Sequence, residues 1–224
     1  MIQKCPERRA LDRLSYSKRE ADMPVEAAIL LAGGQSRRMG RDKSRLPFGN
    51  GPMVARVYEA LATVFPTILV VTPQPDFPVP GARCIDDRYP GNGPLEGLAS
   101  GLEAMEASRA LLCACDMPFL NPDLLRYLSE QAGTAEALVP CGPRGPEPLL
   151  AVYSRRVLPV LRGFLADGNR SATRFLGVIQ ARLLPFEEIR RLDPDGASFR
   201  NLNRPEDYDA ALRELPAHDS RERP

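Results

Sequence analysis

Residues 25–48 read VEAAILLAGGQSRRMGRDKSRLPF, and the rest of the chain is best read outward from them. Ala27 to Leu31 is a short, continuous apolar run, and Gly33 and Gly34 end it. A run of that length between turn signals suits a strand buried on both faces, as inside a parallel sheet. The segment that follows is basic: Arg37, Arg38, Arg41, Lys43 and Arg45 are opposed only by Asp42. Glycines let backbone N–H groups approach an anion and cationic side chains neutralise it, so a buried strand running into such a loop is a way to hold phosphate. A solvated basic surface loop is the competing reading. The position directly after the most apolar strand, with glycines at both ends, favours phosphate. Two common phosphate motifs are absent. G-x-x-x-x-G-K-[ST] fails because five residues separate Gly34 from Gly40 and Arg41 follows, and no G-x-G-x-x-G occurs.

Downstream, strands and helices alternate. Met53 to Phe65 has helical spacing at Val54, Val57, Tyr58, Leu61 and Val64. Thr67 to Thr72 is a second, β-branched strand, and Ala82 to Ile85 a third, ending on Asp86 and Asp87. Gly91, Gly93 and Gly97 form only a near miss to a dinucleotide fingerprint. The turn there opens a helix, Leu95 to Met105, with Pro94 at its start. Such a helix N-terminus can point N–H groups at an anion. Ala110 to Cys115 is a fourth strand, running into Asp116, Met117 and Pro118. Alternation assigns Cys113 and Cys115 to one face, Ala114 and Asp116 to the other. Asn121 to Gln131 is a helix, and Ala135 to Pro140 a fifth strand. Cys141 to Pro148 is a Gly/Pro loop, and Leu149 to Tyr153 a strand suited to antiparallel pairing. Helices follow at Arg155 to Leu165 and Arg170 to Leu176, an edge strand at Gln180 to Pro185, and a last helix from Pro205 to about Leu212. The pattern predicts an α/β fold: a single Rossmann-like three-layer domain, its sheet mostly parallel with one antiparallel strand. Ligands in such folds sit beyond the carboxyl ends of the strands, where the basic loop and the aspartates fall. We expect a flexible extension over residues 1–24, the domain over 25–213 and a polar tail over 214–224.

Composition narrows the function classes. The net charge of +1 gives no global field for nucleic acid or membranes, so the basic loop is a local feature. Five cysteines without metal-like spacing fit a reducing cytosol, and no apolar run approaches a membrane span or a signal-peptide core. The expected location is cytoplasmic. The lone histidine, His218, lies in the tail, which argues against Ser-His-Asp and Cys-His mechanisms. Asp116 is the most telling carboxylate. Ending an apolar strand on a charge is costly without a partner, and the following helix has its own N-terminal candidates in Asn121 and Pro122.

The string LAGGQSRRMGRDKSRLPF resembles the nucleotide signature of the molybdenum cofactor guanylyltransferases, a branch of the nucleotidyltransferase superfamily. Leu31, Ala32, Gly33, Gly34, Ser36, Arg38, Met39, Gly40, Asp42 and Lys43 fill that pattern without a gap. Further segments agree: Gly93, Pro94, Leu95 and Gly97 match G-P-L-x-G, Cys115 to Pro118 match C-D-x-P, and residues 199–207, FRNLNRPED, match F-x-N-x-N-x-P-x-[DE]. The resemblance spans roughly Ala27 to Leu212.

The resemblance implies a nucleotidyltransferase-type fold and transfer of GMP from GTP to the phosphate of molybdopterin, with pyrophosphate leaving. It implies Mg2+ as cofactor, held by Asp116. Lys43 would contact the triphosphate, Arg38 would stabilise the leaving pyrophosphate, and Asp87 would contact the nucleotide. Leu31, Ala32, Gly33 and Gly34 would present backbone groups to base and phosphates. Gly33 with Gly34, and Asn201 with Asn203, match the guanylyl form better than the cytidylyl form. Glu147 departs from the family, which often has His or Gln before Pro-Leu on the pterin side. Arg170, after Gly168, is a candidate for the acceptor phosphate, or else a plain surface arginine. The implied partners are GTP and molybdopterin, with molybdoenzymes or their chaperones downstream. Three alternatives stand beside this reading: a cytidylyl- or sugar-phosphate nucleotidyltransferase, a non-catalytic GTP-binding regulatory module, and, on the glycine near miss alone, a nicotinamide dehydrogenase.

Overall fold

The computed structural model describes residues 23–33, 43–74, 76–86 and 93–215. In chain order, β1 is Ala27–Leu31, followed by a 3-10 turn Lys43–Arg45 and a small hairpin of β2 (Pro47–Phe48) and β3 (Gly51–Pro52). Then come α1 (Met53–Ala62), β4 (Thr67–Val71), β5 (Arg83–Ile85), α2 (Pro94–Ala104), β6 (Arg109–Ala114) and α3 (Pro122–Glu130). The second half holds β7 (Ala137–Gly142), β8 (Gly145–Pro146), β9 (Leu150–Ser154), α4 (Leu158–Ala166), α5 (Ala172–Leu176), β10 (Ala181–Leu184), α6 (Phe186–Ile189) and α7 (Pro205–Glu214). No helix among the described residues is long and apolar enough to cross a membrane.

The sheet runs in the order β10-β7-β9-β6-β1-β4-β5, with β8 folded back on β7. β1 pairs in parallel with β4 and β6, β4 with β5, and β7 with β10. Along this order only β9 runs antiparallel, between β6 and β7, and β8 pairs antiparallel with β7 off the main path. The expected α/β architecture is therefore present, with the antiparallel strand where the LLAVY run suggested it. β1 lies at the centre, and all five of its residues are buried. Its alternation divides the core into two layers. Ala28 and Leu30 face α1 and α3 through Val54, Val57, Leu61, Leu124 and Leu128. Ala27, Ile29 and Leu31 face α2 and α4 through Leu95, Leu98, Leu102 and Leu161. A third, small cluster of Phe48, Met53, Leu202 and Ala211 fastens the β2–β3 hairpin to the C-terminal segment.

Two glycines on α2 set how closely it lies on β1. A Cβ on Gly101 would stand 2.7 Å from Cγ2 of Ile29, and one on Gly97 2.7 Å from Cδ2 of Leu31. The helix backbone thus rests directly on strand side chains. Asn121 caps α3 as expected, its side chain accepting from Asp123 N at 2.8 Å. At the last helix, Asp207 reaches back to accept from the amides of Arg204 at 3.0 Å and Asn203 at 3.3 Å.

The structure corrects some local readings. The Cys141 to Pro148 loop is a tight hairpin that pairs Cys141 with Pro146 and Gly142 with Gly145. The helix expected from Arg155 opens as a 3-10 turn, Arg155–Val157. β6 ends at Ala114, so strand alternation does not extend to Asp116. Cys115 and Asp116 occupy a turn, and Ala114 and Cys115 both pack on the same core layer as Cys113.

Candidate functional site

Three segments meet at the carboxyl ends of β1 and β6. The first is the end of β1. The ladder continues one step past the strand: Ala32 N donates to Val71 O at 2.9 Å, and Cys115 N donates to Leu31 O at 3.0 Å. Leu31 and Ala32 are thereby fixed from both sides. Gly33 then leaves the sheet, and a Cβ there would lie 2.9 Å from Cδ of Pro73. The neighbouring proline alone therefore favours a glycine at position 33. Gly34, Arg38 and Asp87 lie outside the described residues, as does the rest of 34–42.

The second segment is the turn after β6, which carries Asp116. The third is the chain before α7. Leu202 N donates to Asp116 O at 2.9 Å, drawing residues 201–203 across the strand end. That segment is anchored from behind. Buried Asp193 accepts from the amides of Ala197 and Ser198 at 2.9 and 2.8 Å, and Ser198 Oγ accepts from Asn121 N at 2.9 Å.

Lys43 joins the three. Its Nζ donates to Oδ2 of Asp116 at 3.2 Å and to Oδ1 of Asn203 at 2.8 Å. The side chains of Lys43 and Asp116 are only 15% and 16% exposed, so the pair sits in a cleft where a charge interacts more strongly than in water. Burial pushes the Asp116 carboxyl above the ordinary range, and the Lys43 ammonium opposes that shift without cancelling it. The site thus holds a carboxylate only partly compensated by its resident cation.

Glu147 lines the same cleft from the β8–β9 loop. Its Oε1 accepts from Leu149 N at 3.3 Å and its Oε2 from Asn201 Nδ2 at 3.4 Å. Burial, with Asp116 adding to it, pushes its carboxyl up, while the two hydrogen bonds and Arg144 work the other way. The Cys113 thiol is pushed up by burial and then by Asp116, Cys115 and Glu147, so it stays protonated and belongs to the core. Asp86 is exposed just past the end of β5, the edge strand beside β4. Arg170 is turned back on its own chain. Its Nη1 donates to Leu165 O at 2.7 Å and Asn169 O at 2.8 Å, capping the end of α4.

Of the expected site residues within the described parts, Lys43 and Asp116 meet directly and Leu31 is one hydrogen bond removed. Asn203 was expected only as a marker of base preference. Its side-chain amide oxygen as a partner of Lys43 is new, and no local sequence pattern pairs the two.

A cationic side chain from the loop after the first strand, paired with an aspartate at the end of a neighbouring parallel strand, is an arrangement for handling a polyphosphate. A family model described as the MobA-like NTP transferase domain matches residues 28–183. The chain belongs to that family. It is a nucleotidyltransferase, and its fold is of the nucleotidyltransferase type. Among MobA-like relatives, the probable molybdenum cofactor guanylyltransferase of Chloroflexus aggregans is 37% identical over 199 residues, covering 83% of this chain and 94% of the relative. The molybdenum cofactor guanylyltransferase of Syntrophotalea carbinolica is 32% identical over 197 residues, covering 87% and 94%. The crystal structure of molybdopterin-guanine dinucleotide biosynthesis protein A from Archaeoglobus fulgidus superposes with a TM-score of 0.72 at 27% identity, covering 84% of this chain and 97% of that one. The 2-C-methyl-D-erythritol 4-phosphate cytidylyltransferase of Thermus thermophilus, at 16% identity and a TM-score of 0.63 over 84% of this chain and 98% of that one, shares the fold alone.

Proposed function

We propose that this protein transfers GMP from GTP to the phosphate of molybdopterin, yielding the guanine dinucleotide cofactor and pyrophosphate. The observation that carries the reading is the convergence of Lys43, Asp116 and Asn203 beside Leu31. In this reading the enzyme works in the cytoplasm and passes its product to molybdoenzymes or their chaperones.

The chemistry asks little of the protein beyond charge and alignment. A phosphate monoester has a second pKa near ~6 and is already anionic at neutral pH, so no histidine base is required. One of its oxygens attacks the α-phosphorus of GTP. A new P–O bond forms, the bond from the α-phosphorus to the oxygen bridging to the β-phosphate breaks, and pyrophosphate leaves with that electron pair. Lys43 neutralises the triphosphate, and the backbone of Leu31 to Gly34 cradles base and phosphates. Arg38 stabilises the leaving pyrophosphate, and Asp87 contacts the nucleotide.

The residues fit a magnesium ion. Two hard oxygen donors, the Asp116 carboxylate and the Asn203 amide oxygen, already converge on one cationic atom at 3.2 and 2.8 Å. Among the described residues no group of three or more His, Cys, Asp and Glu gathers for a metal. That suits an ion which takes one or two carboxylates and keeps water and phosphate oxygens as its other ligands. Asp116 and Asn203 would hold it, and it would supply charge neutralisation and in-line alignment of the phosphates. Lys43 then has two stations: it balances buried Asp116 in the resting site and turns to phosphate oxygens when these arrive.

The test is pyrophosphate release with each of the four nucleoside triphosphates, with and without magnesium and molybdopterin. Release needing GTP, magnesium and the pterin together is the expected result. Release with CTP would move the protein to a cytidylyl activity, and tight GTP binding without release would support a regulatory module.

A further inference from the structure

Arg162, on α4, takes part in none of the contacts described so far. Its Nε and Nη2 donate to Oε1 and Oε2 of Glu103 at 2.8 and 2.9 Å, and its Nη1 donates to Oε1 of Glu96. Both glutamates belong to α2, one near each end. Glu96 is 3% exposed, a placement that a carboxylate tolerates only when paired and hydrogen-bonded. A planar guanidinium can fork to two carboxylates at once; a lysine ammonium in its place is a point charge without that geometry.

The Glu96 end of this fork lies next to the end of β1. Gly97 follows Glu96 and places the backbone of α2 on Leu31, the first residue of the LAGG stretch. Leu31 O in turn accepts from Cys115 N, the neighbour of Asp116. Arg162, Glu96, Gly97, Leu31 and Cys115 therefore form one packed series leading to the cleft. Because Gly97 carries no side chain, a shift of the first turn of α2 presses directly on the side chain of Leu31.

We propose that Arg162 is a positioning residue for the nucleotide subsite, holding the first turn of α2 against Leu31 through its fork to Glu96 and Glu103. The inference rests on the nucleotide-transfer reading above. Arg162 touches no reacting atom in it, so its loss should weaken nucleotide binding and leave the chemical step nearly intact.

The experiment compares wild type with three variants in steady-state kinetics for GTP, equilibrium GTP binding and thermal melting. Arg162→Met leaves Glu96 buried without its cation and is the variant most at risk of misfolding. Arg162→Met with Glu96→Gln removes both charges and keeps the side-chain volumes. Glu103→Gln weakens the same cluster at the end away from Leu31. The expected result is a KM and a dissociation constant for GTP raised about tenfold in the double variant, kcat within about twofold, and a smaller rise in both constants with Glu103→Gln. A lowered melting temperature with unchanged KM in the double variant would overturn the proposal and leave Arg162 as a structural brace. Wild-type protein that binds no GTP would instead overturn the nucleotide-transfer reading, and this proposal with it.

Discussion

Nζ of Lys43 stands 3.2 Å from Oδ2 of Asp116, across 73 residues of chain. The contact links the loop after the central strand to the turn after its neighbour, and both groups are mostly hidden from water. Burial already disfavours the Asp116 charge, and the lysine only moderates this. A fold that keeps such a carboxylate at neutral pH carries a cost in stability, which the proposed role in holding a cation would account for.

That cost separates function from stability. Lys43→Ala should lose about 3 kcal/mol of transition-state stabilisation, the scale of removing one well-placed charge-stabilising donor, and Asp116→Ala more. Asp116→Asn should lose turnover as well, yet melt no lower than wild type at neutral pH, since the amide carries no charge to bury. Steady-state kinetics beside thermal melts check this. Near-normal turnover in either Lys43→Ala or Asp116→Ala would remove them from the mechanism.

Glu147 makes a prediction in pH. Its folded pKa is raised by burial, so its charged form is the disfavoured one in the native state. The sign follows: its ionisation destabilises the fold as pH rises through the raised pKa, and the penalty is absent below the ordinary carboxylate value. Glu147→Gln stays neutral throughout. It should melt higher than wild type at neutral pH in metal-free buffer, and the gap should close as pH falls into the carboxylate range. Melting curves at several pH values read this directly, and a gap that widened toward acid would reverse the assignment.

Two glycines give opposite expectations for one substitution. A Cβ on Gly142 would stand 2.6 Å from Cγ and 3.0 Å from Cβ of Phe199, the residue that leads into Asn201 and Asn203. Gly142→Ala should destabilise by about 1–3 kcal/mol and raise KM by displacing that segment. Gly163 lies within α4 with nothing inside 4 Å of a Cβ. Gly163→Ala should stabilise by up to about 1 kcal/mol, the helix-propensity difference, without touching kinetics.

Much of this was open to reading from the chain itself. An apolar run as dense as Ala27 to Leu31 has few places to go but the middle of a parallel sheet, and LLAVY suited the antiparallel strand that β9 became. Asp116 stood out because an apolar strand rarely ends on a charge without cause. The short pieces were less readable. The β2–β3 hairpin has two residues per strand, and β8 has only two to pair with β7, too few for periodicity to register. Long-range partners were not readable at all. Lys43 meets Asn203 across 160 residues, and Arg162 meets Glu96 across 66, by tertiary packing that no local pattern encodes. Arg170 shows the converse: a plausible phosphate ligand by its place after Gly168, it turns instead to the open carbonyls at the end of α4, which lie within its reach.

The most direct test of the central claim follows the α-phosphate. Wild-type protein is given molybdopterin, magnesium and GTP labelled in that phosphate, and the products are separated. The account predicts label in a pterin–guanine dinucleotide, unlabelled pyrophosphate in equal amount, and neither product with Asp116→Ala. Label that stayed in GTP, or left as free GMP regardless of the pterin, would contradict it.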